Sequence, residues 1–220
     1  LNYLENLWNA LDFGSMRDTL LRVAAVLICL ILHETCHGIA AFFLGDPTAK
    51  RNHRLSLNPL RHIDWIGLAA MVLTGVGWAK PVPVNPNYFK HPKRGMAITA
   101  LAGPVSNLLL ALWLLLGARM MYSHALSTGQ LNETLFYFLM NTAMLSIGLG
   151  IFNLIPIPPL DGSKVLAAVL PDRQYDWLMR YERFGMLIIM ALVCFGALSD
   201  VLNVAIGAVF QLFCRIVGFY

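Results

Sequence analysis

Apolar residues in this chain come in long blocks, not at the spacing of a single helix face, and polar loops rich in proline and glycine separate the blocks. A helix needs about 20 mostly apolar residues to cross the roughly 30 Å hydrocarbon core of a bilayer. Residues 19–44 (segment A) meet that length, with Arg22 near the start and Gly45-Asp46-Pro47 closing the run, since proline cannot continue a helix. Segment B covers about 96–121 and contains A-G-P-V-S-N at 102–107. Segment C covers about 135–155 and is broken by Pro156, Pro158 and Pro159. Segment D covers about 184–198, and a last block at 201–220 is able to span or to lie along the interface. The pattern does not decide between those two placements.

Between A and B the apolar run 66–78, carrying Gly67, Gly75 and Gly77, is too short to span and predicts a re-entrant or interfacial element. After it, Pro81, Pro83 and Pro86 forbid a helix and favour extended backbone. An edge of that kind is expected to pair with an unwound peptide segment. The first 18 residues hold Glu5, Asp12, Arg17 and Asp18 without an apolar core, which predicts a short interfacial helix and not a cleavable leader.

Composition narrows the fold class. The chain is 58% hydrophobic and 13% charged, about half the charge of an ordinary soluble domain. A soluble globule, a disordered chain and a secreted disulfide scaffold are excluded, and the alternating strands of a membrane barrel are missing. The expected fold is an all-α membrane protein: a polytopic bundle of four or five transmembrane helices with a short re-entrant or extended loop element. It forms one domain over 1–220. Cys29, Cys36, Cys194 and Cys214 lie in apolar stretches without a C-x-x-C pair, as buried small hydrophobes do.

A formal charge of +4 raises the question of nucleic acid, but the cations sit in loops, where membrane topology requires them. Lys50, Arg51, Arg54, Arg61, Lys80, Lys90, Lys93 and Arg94 lie between A and B. Lys164, Arg173, Arg180 and Arg183 follow C, and only Arg119 lies near the B–C connection. Retention of Lys and Arg on the cytoplasmic side places the A–B loop and the segment after C there. Segments A and C then both end at the cytoplasm.

Segment A holds H-E-T-C-H: His33, Glu34, Thr35, Cys36 and His37. Positions i and i+4 of a helix share one face, so both imidazoles reach one ion, and two histidines plus a third ligand and a water make the usual catalytic zinc site. Glu34, adjacent without having to ligate, suits a general base. Ionisable groups inside a membrane helix cost roughly 2.5–3.5 kcal/mol each on insertion scales, and a shared divalent cation compensates three of them in five positions. The third ligand must lie at the same depth. Asp200 and Glu133 fall on the outer side, Asp46 and Asp64 lie in the A–B loop, and Asp161 follows C in I-P-I-P-P-L-D-G. Orientation brings Asp161 to the end of the membrane that holds the histidines, although an Asp there also suits a helix N-cap.

H-E-T-C-H within an apolar helix, G-D-P-T-A-K after it, L-N-P-L-R-H-I-D, G-W-A-K-P-V-P-V-N-P, A-G-P-V-S-N and N-L-I-P-I-P-P-L-D-G together resemble the site-2 protease family of intramembrane metalloproteases (peptidase M50). The resemblance, over about 19–172, is to its compact prokaryotic branch without a PDZ domain. It implies a zinc-dependent intramembrane endopeptidase of the cell membrane, with one catalytic Zn2+ on His33, His37 and Asp161. Glu34 then assists attack of zinc-activated water on bonds in or near transmembrane segments of substrate proteins, from the cytoplasmic side. It further implies substrate or oxyanion roles for Asn153 and, more weakly, Asn107. Partners are then a transmembrane substrate and the lipid bilayer, not nucleic acid; oligomeric state is open. Two departures fall in the loop, where Trp65 follows H-I-D in place of proline and N-H-R-L-S at 52–56 lacks a glycine before Arg54. His53 and His62 are expected as solvated loop residues. A membrane metal-ion transporter and a catalytically silent binding relative are the competing readings. The chain has no repeated halves, as many transporters do, and it retains the full set His33, Glu34, His37 and Asp161.

Overall fold

The computed structural model describes residues 16–65, 67, 80–171, 173–174, 185, 187–189, 191–193 and 195–219. The expected interfacial helix at 1–15, most of the re-entrant run 66–78, much of segment D, and Cys194 lie outside them.

The described residues form a helical bundle, and the protein is a polytopic helical membrane protein. Helix α1 (Met16–Phe43) is segment A; the one-turn α2 (Thr48–Arg51) follows in the loop. Helices α3 (Pro92–Thr128) and α4 (Glu133–Asn153) are segments B and C, the nine-residue α5 is Asp161–Val169, and α6 is Ser199–Val217. By length and composition α1, α3, α4 and α6 are each able to cross a membrane, so the last apolar block forms a helix of spanning length.

Helix α3 is longer than its apolar block. With 37 residues it extends about 55 Å at 1.5 Å per residue, well beyond the hydrocarbon thickness. Pro92 sits in its first turn, where the missing N–H costs nothing, and Gly129 ends it in the left-handed conformation at φ 71°. Caps and not hydropathy therefore set its ends.

Helix α3 is central: α1, α4, α5 and α6 all pack on it. Toward the end of the bundle where α3 meets α6, Ala111, Leu115, Ala143, Ile147, Ile206 and Cys214 form a buried apolar cluster. Toward the other end the contacts are polar. Ser146 Oγ donates to the Asn107 carbonyl at 2.8 Å, and Cys29 Sγ lies 3.9 Å from the Thr142 carbonyl.

The loop between α1 and α3 is folded back on α1. Asp46, fully buried, accepts from the backbone N–H of Thr48 (2.9 Å) and Asn85 (2.7 Å), tying the start of the loop to its end. His62 differs from the solvated residue expected: it is buried, and its Nε2 donates to the Ser56 carbonyl at 2.6 Å. Residues 81–84 form no helix or turn, as the prolines require, and Asn85 is extended. Their inner edge is already used. Lys80 N–H donates to the His62 carbonyl (2.9 Å) and Val82 N–H to Glu34 (2.9 Å). Pro81 and Pro83 have no N–H, so Val84 is the one amide of 80–84 without a partner among the described residues. As a pairing edge for another peptide, this stretch is poorer in donors than its sequence suggested.

Candidate metal centre

Two histidines one turn apart on α1 face α3 and α5. His33 Nε2 and His37 Nε2 each lie 3.1 Å from Asp161 Oδ2 at the start of α5. The imidazole rings are near-perpendicular, with centroids 4.6 Å apart. All three side chains are buried, their residues 4%, 9% and 7% exposed. Their ligand atoms lie within 4.8 Å of one another, and no other such cluster of His, Cys, Asp or Glu occurs among the described residues. Two imidazole nitrogens and one carboxylate oxygen are the donor set of an open, catalytic type of zinc site.

Asp161 is not the N-cap of α5. Leu160 holds that position, and Asp161 is the first helical residue with its carboxylate turned to the imidazoles. Gly162 makes this placement possible. A Cβ there would overlap the backbone carbonyls of Leu154 and Ile155, where the chain leaves α4. Lys164 Nζ stands 3.8 Å from Asp161 Oδ1.

The far side of each imidazole also has a partner. His37 Nδ1 donates to the Thr99 carbonyl at 2.7 Å; a carbonyl only accepts, so the proton of a neutral ring sits on Nδ1 and Nε2 is left as the ligand. His33 Nδ1 lies 3.1 Å from Nδ2 of Asn107, which is fully buried, while Asn107 Oδ1 has no partner. A half-turn of that amide exchanges the two atoms. Oδ1 then accepts from His33 Nδ1–H and Nε2 of His33 is left able to ligate on the same terms as that of His37, while the unpartnered place passes to Nδ2 of the amide. The donor atoms of His33, His37 and Asp161, with an outer partner behind each imidazole, thus fit a divalent cation.

Helix α3 approaches this pair closely because residue 103 has no side chain. A Cβ on Gly103 would lie 2.5 Å from His37 Nε2 and 2.7 Å from His33 Cε1. Glu34, half-buried beside His33, accepts the Val82 N–H at 2.9 Å through Oε2. The structure therefore brings together His33, His37 and Asp161, with Asn107 behind His33. It does not bring Asn153 into contact with them: its Nδ2 donates to the Leu149 carbonyl of its own helix at 2.9 Å. Asp46 and Asp64 serve loop backbone N–H groups instead. Thr99 and Gly103 were not singled out from sequence, and Val82 stood out only as part of a pairing edge, not as a partner of Glu34. Of the first two, only Gly103 left a signal there, in the A-G-P run.

The family model for peptidase family M50 matches residues 22–196, a span that includes every residue of this centre. The chain belongs to peptidase family M50. This M50 chain is similar to "Putative zinc metalloprotease YwhC" of Bacillus subtilis (strain 168), 35% identical over 77% of this chain and 78% of that relative. It is also similar to "Putative zinc metalloprotease Rip2" of Mycolicibacterium smegmatis, 30% identical over 82% of this chain and 69% of that relative. No solved structure gives a significant match.

Proposed function

We propose that this protein is a zinc-dependent endopeptidase that cuts peptide bonds in or near transmembrane segments of other membrane proteins, with its site opening toward the cytoplasm. One observation carries the reading: two imidazole nitrogens and a carboxylate oxygen converge in a buried pocket beside Glu34, within a bundle of membrane-length helices. The names of the M50 relatives, both of zinc metalloproteases, support the choice of metal. The cationic loop between α1 and α3 supports the cytoplasmic side.

His33, His37 and Asp161 would hold the ion. Bound there, zinc supplies a water acidified toward a pKa of about 7 and a Lewis acid for the scissile carbonyl. Glu34 accepts the proton of the attacking water and returns it to the leaving amine. The Val82 N–H fixes one oxygen of Glu34, leaving the other to take the proton. Asn107 orients His33 from behind and does not meet the substrate. A substrate helix has its carbonyls hydrogen-bonded internally, so the segment must be bound unwound.

Glu34→Gln keeps the shape of the side chain and its hydrogen bond from Val82 but cannot act as a base. Reconstituted with a transmembrane substrate, the variant is expected to lose proteolysis while retaining one zinc per chain by elemental analysis. Full activity in Glu34→Gln refutes the assignment.

A further inference from the structure

The loop between α1 and α3 carries a second polar site with different chemistry. Asn52, His53, Arg54, Leu60, Arg61, Ile63, Trp65 and Lys80 enclose a cleft of about 470 Å³ that is open to the surroundings. Its described lining holds three permanent cations and no carboxylate. Arg54 and Arg61 are anchored through one nitrogen each: Arg54 Nη2 donates to the Lys80 carbonyl and Arg61 Nη1 to the His53 carbonyl, both at 2.6 Å. Arg54 is 8% exposed, yet its Nε has no partner. Two exposed cations, Arg61 and Lys80, beside the Arg54 guanidinium, whose charge is already partly met by Glu34, suit an oxyanion with several acceptor oxygens. A phosphate has that chemistry.

The rim of the cleft selects among phosphates. Leu60 and Trp65 of its lining both stand 71% exposed in a strongly cationic loop. The loop leaves α1 at Phe43 and enters α3 at Pro92, and its cations at 50–54, 61, 80 and 90–94 mark the headgroup level of the membrane. Apolar side chains and an indole at that level suit the glycerol and upper acyl region of a lipid, and cations among them suit its headgroup. We propose that this cleft binds the phosphate headgroup of an anionic phospholipid, with Arg61 and Lys80 on the phosphate, Arg54 adding its charge from behind, and Trp65 and Leu60 against the lipid body. The site lies beside the catalytic machinery in the chain, since Lys80 is two residues before Val82, whose N–H holds Glu34. Its occupancy does not depend on the protease reading.

The test is binding to the full-length protein in neutral detergent, by calorimetric titration with short-chain phosphatidylglycerol, short-chain phosphatidylcholine and inorganic phosphate. Phosphatidylglycerol is expected to bind saturably at one site and more tightly than either of the others. The exposed pair Arg61→Gln/Lys80→Gln is expected to weaken it about thirtyfold, the loss for two interfacial cations. Trp65→Ser is expected to weaken phosphatidylglycerol but not phosphate. Equal binding of phosphatidylcholine, or unchanged affinity in the double variant, overturns the proposal. Phosphate as tight as the lipid also overturns it, assigning the cleft to a soluble anion. Displacement by an acidic peptide but not by phosphatidylglycerol overturns it in favour of a polypeptide ligand.

Discussion

The two halves of α3 are both buried and do opposite things. Around Thr99, Gly103 and Asn107 the helix meets α1 and α5 through a carbonyl, a missing side chain and an amide. One turn further on, Ala111 and Leu115 are fully buried among apolar side chains of α4 and α6. Burial therefore does not separate function from packing in this bundle; the chemistry of what is buried does. The first half holds groups whose cost in an apolar interior is offset only when a partner or an ion is present. The second half is held by dispersion and close fit and needs no ligand.

Substitutions of equal burial should separate those roles. Asp161→Asn removes the carboxylate and leaves a neutral amide facing two imidazoles. Expected are complete loss of proteolysis and zinc content well below one per chain, read by elemental analysis, with the helical circular dichroism retained. Leu115→Ala should do the converse. A cavity in the apolar half costs about 2–4 kcal/mol, visible as a lower unfolding midpoint in detergent, while zinc content stays at one per chain. If Leu115→Ala loses metal, or Asp161→Asn unfolds without it, the division of α3 into two regions is wrong.

The same contrast explains what the sequence disclosed. The helices announce themselves by block length, and H-E-T-C-H brings two imidazoles together because i and i+4 share a face by geometry alone. Asp161 is recoverable from orientation, since charge in the loops puts it at the same end as the histidines. The ends of α3 are not recoverable from hydropathy, because Pro92 and Gly129 cap it beyond its apolar block. The outer partners of the ring nitrogens are equally hidden. The Thr99 acceptor is a backbone carbonyl, which every residue has, and it is useful only because Gly103 lets α3 approach His37. Asn107 stood out by its motif, but its role depends on a contact spanning 74 residues. Val82 reaches Glu34 only because Asp46 and His62 fold the loop back onto α1.

Asn107 gives a finer probe of the polar half. Replacement by Leu keeps the volume but removes the acceptor for His33 Nδ1–H, and outer partners of metal-bound histidines are typically worth 10–100-fold in affinity. Asn107→Leu is accordingly expected to weaken zinc binding by about 10–100-fold, measured by competition with a chelator, with activity restored at high zinc. Asn107→Asp keeps an acceptor and should retain most of the affinity. Equal loss in both variants would mean that packing, and not the Nδ1 hydrogen bond, is what Asn107 supplies.

The smallest effect is expected where the loop meets the site, and it is the most specific. Val82 and Val84 are two residues apart in one irregular stretch, each preceded by a proline, whose fixed φ already suits the constraint a following proline imposes. Only Val82 donates to Glu34. Val82→Pro therefore removes one charge-assisted hydrogen bond, worth about 1.5–3 kcal/mol, part of which water recovers because Glu34 is only half-buried. The expected result is about a tenfold fall in kcat with zinc content unchanged. Val84→Pro alters the same backbone without touching Glu34 and is expected to leave kcat within about twofold. If the two variants fall together, the stretch acts as a pairing edge for substrate, and both should then raise KM. If neither changes turnover, Glu34 is positioned by its own helix and the Val82 contact is incidental to catalysis.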